Sequence, residues 1–173
     1  MLEVSGVSKR FGGLAAVSEV SLRVPAGSIT GLIGPNGAGK TTLFGIIAGF
    51  VPADQGSVRF EGAEVLGLPT HLLARRGLVR TFQIVQPFAG LTVRENIAVG
   101  RHLRERNRAC ALAQAAGIAE RVGMSALLDM PATSLTIAGR KRLELARALA
   151  TEPRLLLLDE VMAGLNQIGR AHV

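Results

Sequence analysis

Apolar and polar positions alternate along the start of the chain. "LEVSGV" and "EVSLRV" place apolar residues at every second position, the period of a half-buried strand. "PAG" at 25–27 then reads as a turn, and "SITGLIG" as a buried strand running into "GPNGAGKTT". From there the period lengthens: Leu43, Ile46, Ile47 and Phe50 recur at helical spacing. "GSVRF" and "GLVRTF" predict further strands, with "PTHLLARR" a short helix between them. After Phe82 the chain becomes mostly helix-forming, with Thr92 as a cap. Residues 84–139 are expected to form a helical insertion. "GRKRLELARALA" predicts one more helix, with Leu143, Ala146 and Leu149 on one side, and "RLLLL" a strand buried on both faces. No internal repeat or low-complexity linker is visible.

Composition narrows the class. A chain of 173 residues with 48% hydrophobic residues and 21 glycines suits a globular α/β domain with a real core. The net charge of +7 invites a nucleic-acid reading, but nearly all the basic residues are arginine, as a GC-rich genome would produce. The six Phe, with no Trp or Tyr, supply few stacking platforms for single strands. Arg101, Arg104, Arg106 and Arg108 are expected on a solvated helix face. The lone Cys110 excludes an internal disulfide and is expected as a small buried residue on a helix. No signal peptide is visible, and no run approaches the roughly 18 apolar residues of a spanning helix.

The chemistry concentrates in two places. Gly34 to Thr41, "GPNGAGKT", fits G-x-x-x-x-G-K-[ST] at every fixed position, between a predicted strand and a predicted helix. The loop of Gly34, Asn36, Gly37, Ala38 and Gly39 lets backbone N–H groups converge on phosphate oxygens. The following helix, through Thr42, offers its positive end to the same phosphates. Lys40 adds a point charge, and the Thr41 hydroxyl is a hard oxygen ligand for Mg²⁺. In "LLLLDE", Asp159 leaves a strand at its C-terminal end, where α/β sheets bind ligands. It is expected to hold Mg²⁺ through water, with Glu160 as the general base that polarises an attacking water.

With these motifs in order, the chain resembles the ATP-binding subunit of an ABC transporter over residues 1 to about 166. The resemblance implies a P-loop NTPase core of mixed sheet and flanking helices, with an ABC-type helical subdomain and its C-terminal part missing. Residues 1–83 would be the first part of the core, 84–139 the helical subdomain with the signature, and 140–166 the second part of the core. "SKRFGGLAAV" resembles the segment whose aromatic stacks on adenine, which gives Phe11 that role. "RTFQ" resembles the loop whose glutamine senses Mg²⁺ and the γ-phosphate, which makes Gln83 the candidate ahead of Gln86. "LTIAGRKRLELARALA" stands where the family signature falls. Thr136, Ala138 and Gly139 would act on the nucleotide of a second subunit, although Ile137 and Ala138 replace the usual glycines. "AGLN", 163–166, resembles the D-loop. "VRTFQIVQPFAGLTVRENIAVG" and "DEVMAGLN" resemble the importers of branched-chain amino acids or related amides.

That resemblance implies ATP and Mg²⁺ as cofactors and a second ATP-binding subunit, identical or different. It further implies transmembrane permease subunits and, indirectly, a periplasmic or extracellular binding protein. The subunit would be cytoplasmic and peripheral on the inner face of the membrane, with no nucleic-acid partner. Two alternatives stay open: another cytosolic P-loop ATPase acting on nucleic acid or ribosomes, and a truncated chain that binds ATP without hydrolysing it. The family's switch histidine has no counterpart, since His71 and His102 come too early and His172 follows too closely. Residues 167–173 are expected to be a non-native tail. ATC-GGA-AGA-GCA-CAC-GTC, a common sequencing adapter, translates as the "IGRAHV" of Ile168 to Val173.

Overall fold

The computed structural model describes residues 1–82 and 86–159. They fall into two compact units, the first Met1–Leu73 and the second from Ala74 onward.

The first unit is built on an antiparallel sheet of order β2-β1-β3-β4. Its strands are β1 (Leu2–Phe11), β2 (Leu14–Val24), β3 (Gln55–Phe60) and β4 (Ala63–Glu64). The alternation seen in the sequence holds at the start of β1, where Leu2 and Val4 are buried and Ser5 is exposed. The register then shifts, so that Val7 is the next buried residue. Two hydroxyls satisfy the backbone at these irregularities. Gly6 N–H donates to Ser21 Oγ at 2.9 Å, and Glu19 N–H to Ser8 Oγ at 2.9 Å. The β3–β4 hairpin closes through Glu61 and Gly62, whose φ values of 52° and 81° suit a two-residue turn. Glu64 staples this hairpin, accepting from Ser57 Oγ at 2.7 Å and from the N–H groups of Val58 and Leu66 at 3.0 and 3.2 Å. Partial burial pushes its carboxyl up, but these three bonds outweigh it and hold the group below the usual carboxylate range. Helix α1 (Lys40–Ile47) buries Leu43, Ile46 and Ile47.

Two expectations fail in this unit. Residues 28–34 form no strand; Ile29 and Ile33 are 103% and 95% exposed. An apolar run becomes a buried parallel strand only where neighbouring strands and covered faces exist for it. The ladders of this unit are made among β1 to β4 instead. Phe50, expected on the apolar face of α1, lies past its end and is 51% exposed.

After α2 (Thr70–Arg76), the second unit pairs two short parallel strands, β5 (Leu78–Arg80) and β6 (Leu155–Leu157). Between them lie α3 (Val93–Arg101), α4 (Arg108–Arg121), two short 3₁₀ turns and α5 (Ile137–Ala150). Thr92 caps α3 in a reciprocal box with Glu95, Asn107 caps α4, and Thr136 caps α5. One apolar cluster joins the helices through Val93 and Ile97, Ala115 and Ala119, and Leu143, Ala146 and Ala150. Asn96, fully buried, ties the chain before α3 to the helix. Its Oδ1 accepts from Phe88 N–H at 2.9 Å, and its Nδ2 donates to the carbonyls of Phe88 and Thr92 at 3.2 and 2.9 Å.

Three further expectations are corrected. Cys110 is exposed. The buried stripe of α4 is Ala111, Ala115 and Ala119, and a neighbouring position points about 100° away. The four arginines form no single face: Arg101 ends α3 and pairs with Glu152, Arg104 bonds the carbonyls of Thr151 and Arg75 from the connection, and Arg108 opens α4. The leucines of β6 are not buried on both faces. Leu157 is buried, Leu155 and Leu156 are half-buried, and Leu158 is 45% exposed. Among the described residues β6 pairs only with β5.

Candidate functional site

The glycine-rich loop is shaped by left-handed backbone. Gly37 and Gly39 have φ values of 82° and 83°, a region that disfavours any side chain. Gly39 is also the N-cap of α1 and supplies no side-chain bond there. The first-turn N–H groups, from Lys40, Thr41 and Thr42, therefore form an uncapped positive helix end. A Cβ on Gly39 would lie 2.1 Å from the Ala16 carbonyl oxygen, so the loop is pressed against the backbone of β2. The Lys40 ammonium folds back over the loop, donating to the carbonyls of Gly34 and Pro35 at 2.7 and 2.8 Å. Asn36 and Ala38 lie exposed in the same loop. The cationic Lys40, the uncapped N–H groups and the Thr41 hydroxyl form a donor set that suits an anion with an associated hard cation.

Phe11 stands at the turn end of the β1–β2 hairpin, the same end as Ala16. It pairs with Leu14, two residues before Ala16, and its ring is 51% exposed. Lys9 lies over the ring at 5.4 Å and is held by Asp54 at 2.7 Å. The bond from Lys9, with one from Arg10 N–H, keeps the Asp54 carboxyl below its usual range. Phe11 and the glycine-rich loop are thus linked through one hairpin of the first unit.

Asp159 and the signature positions belong to the second unit. Asp159 is buried just past β6. Its Oδ2 accepts from Arg80 Nη2 at 2.8 Å, while Oδ1 accepts no hydrogen bond among the described residues. That leaves one carboxylate oxygen with the chemistry a hard cation needs. Thr81 fixes the strand end: its N–H donates to Leu157 O at 3.0 Å, and its Oγ1 accepts from Asp159 N–H at 3.3 Å. At the N-terminus of α5, Thr136 Oγ1 accepts from Gly139 N–H at 3.2 Å. Its acceptor side serves the cap and its proton is left to donate outward. Ile137 is 79% exposed beside it, and Ala138 is exposed too.

Gln83, Glu160, the "AGLN" segment and the tail at 167–173 lie outside the described residues. Residues on either side of Gln83 are held by α5. Glu144 accepts from Phe82 N–H, and Arg147 donates to Gln86 O at 3.1 Å with its guanidinium 4.5 Å from the Phe88 ring centre. Burial pushes the Glu144 carboxyl up, against the pull of its bond from Phe82 and of the nearby Arg147. It pushes the Arg147 guanidinium down. Sequence reasoning missed Arg80, Thr81, Glu144 and Arg147. The one available signal was a charged residue, Arg80, within a short apolar strand.

A glycine-rich loop that curls into an uncapped helix carrying Lys and Thr defines a P-loop nucleotide-binding protein of the mixed α/β class. Residues 17–163 match the ABC transporter family, and the chain belongs to that family. It is 41% identical to the high-affinity branched-chain amino acid transport ATP-binding protein BraF of Pseudomonas aeruginosa, over 96% of this chain and 71% of that one. Its identity to the LivG protein of Salmonella typhimurium, named for the same transport, is 40% over the same shares. A probable LivG of Archaeoglobus fulgidus is 39% identical over 97% of this chain and 70% of its own. Among solved structures, the ADP conformation of MJ1267, an ATP-binding cassette of an ABC transporter, superposes with a TM-score of 0.82 at 34% identity. That alignment covers 95% of this chain and 70% of MJ1267. The dimeric cassette MJ0796 shares the fold, with a TM-score of 0.85 at 23% identity, over 95% of this chain and 76% of that one.

Proposed function

We propose that the chain is the ATP-binding and ATP-hydrolysing subunit that powers an importer of branched-chain amino acids or related amides. The observation that carries this is the Lys40 ammonium folded over the glycine-rich loop at the uncapped start of α1. Lys40, the loop N–H groups and the α1 terminus bind the phosphates, and Phe11 stacks on the base. Thr41, Gln83 and Asp159 are the residues that would hold Mg²⁺, which when bound neutralises phosphate charge. Glu160 orients the attacking water. Thr136, Ala138 and Gly139 act on the nucleotide of a second ATP-binding subunit. The cargo reading is supported by the names of the relatives, each a branched-chain amino-acid transport protein.

Partners are a second ATPase subunit and a transmembrane permease, with a substrate-binding protein acting through the permease. Attachment at the inner face of the membrane runs through the permease; among the described residues no helix is long and apolar enough to cross a membrane. Lys40→Ala should abolish tight ATP binding, and Glu160→Gln should keep ATP but lose hydrolysis. Equilibrium binding of a fluorescent ATP analogue and phosphate release measure the two. Unchanged binding by the Lys40 variant removes the P-loop assignment, and undiminished turnover removes Glu160 from its role.

A further inference from the structure

The Asp159 carboxylate already has a resident partner. Arg80 and Asp159 meet at 2.8 Å with side chains only 9% and 8% exposed. A buried pair of this kind is stable only when its remaining donors and acceptors are also met. Here one is not: Arg80 Nε is buried with no acceptor among the described residues. Asp159 Oδ1 accepts no bond among them and is not a buried orphan, which leaves it open to a cation. The guanidinium also lies 5.8 Å from the Phe82 ring centre, which offers it a second resting surface on its own strand end. The backbone around the pair is fixed independently, because the Thr81 bonds to Leu157 and Asp159 do not involve Arg80. The side chain can therefore leave the carboxylate without unpairing β5 from β6.

We propose that Arg80 is the counter-ion that occupies Asp159 until a divalent cation takes the carboxylate. Arg80 and the cation then compete, and Arg80 sets how strongly nucleotide binding depends on metal. The inference rests on reading Asp159 as a metal-site residue. A guanidinium and a divalent cation repel, so a cation entering against Arg80 must first displace it. Arg80 is a positioning residue: it keeps a buried carboxylate charged and paired while no metal is there.

The test is the ratio of ADP dissociation constants in EDTA and in Mg²⁺, measured by calorimetry on the 173-residue chain. Arg80→Gln should raise that ratio about fivefold or more, within the usual range of coupling between sites. The same variant should melt lower than wild type in EDTA and gain more from Mg²⁺ with ADP. Arg80→Lys keeps a cation but not the planar fork, so its ratio should lie between wild type and Arg80→Gln. If Arg80→Gln does not fold, the Lys variant decides: a ratio above wild type supports competition, and one at or below it overturns it. Asp159→Asn separates the two layers. A lowered ratio in that variant with an unchanged or lowered ratio in Arg80→Gln overturns the role of Arg80 alone. An unchanged ratio in Asp159→Asn overturns the metal-site reading and the competition together.

Discussion

Gly37 and Gly39 share a backbone region but not surroundings, and that difference gives a quantitative test of the loop. Their φ values are 82° and 83°. A side chain in the left-handed region costs about 1–2 kcal/mol at either position. At Gly37 nothing lies within 4 Å of an added Cβ, so Gly37→Ala should cost only that strain. At Gly39 the Cβ would sit 2.1 Å from Ala16 O and 3.2 Å from the Ala16 carbonyl carbon. Both are backbone atoms of a paired strand, so relief requires the loop or β2 to move. Overpacking of that kind adds about 1–3 kcal/mol, which makes Gly39→Ala cost about 2–5 kcal/mol in all. One kcal/mol corresponds to about 2–4 °C in a chain of this size, so Gly39→Ala should melt at least about 2 °C below Gly37→Ala. Circular dichroism through a thermal ramp reads the gap, and urea unfolding should show a lower midpoint at an unchanged slope. Equal destabilisation by the two substitutions would refute the claim that the loop is pressed against β2 at Ala16.

Two further outcomes test the parts that hold each unit together. Asn96→Ala should destabilise the second unit by about 1–3 kcal/mol, because it strands the part-buried Phe88 N–H, whereas the carbonyls of Phe88 and Thr92 keep their backbone donors; a change under about 0.5 kcal/mol in urea unfolding would mean the network does not hold α3 to its N-terminal approach. Glu64 makes the first unit acid-sensitive. Its folded pKa lies below the unfolded one, so its stabilisation is present above the unfolded value of about 4.3 and is lost as pH falls through the folded value. Glu64→Gln should therefore flatten the loss of stability below about pH 4.3, and an acid slope identical to wild type would remove the staple from the account.

How much of this was legible in the sequence follows from what each signal depends on. Helices that carry their own start signal were readable: Thr92 with Glu95 three residues on is a complete cap written in adjacent residues. Three of the four strands of the first sheet, β1 to β3, were readable too, since each pairs with a neighbour close in the chain; the two-residue β4 was not read. "SITGLIG" was not, and "RLLLL" was legible as a strand but not in how far it is buried. A parallel strand takes its neighbours from distant segments, so its apolar run states what it would bury and not whether a partner stands beside it. Cys110 failed for a different reason. An alanine-rich helix has no strong apolar face, and a one-residue error in phase turns a buried position outward.

The site divides along the same line. Glycine, lysine and threonine at fixed spacing act through local backbone, so the loop from Gly34 to Thr41 could be placed before any fold was known. Arg80 could not, because its meaning comes from Asp159, seventy-nine positions later. In sequence Arg80 is one arginine among many in a basic chain. Only the parallel pairing of Arg80 with Leu157 carries the strand end to the carboxylate. The same holds for Glu144 and Arg147, whose partners are backbone atoms of Phe82 and Gln86 about sixty residues earlier. Backbone atoms leave no mark on sequence, so a motif search finds the groups that face the ligand and misses those that hold them. The missed residues all bind the ends of β5 and β6 or the segments beside Gln83. Altering them should therefore shift metal dependence and pH response before it removes nucleotide binding, a role the proposed function gives to Lys40 and the α1 terminus.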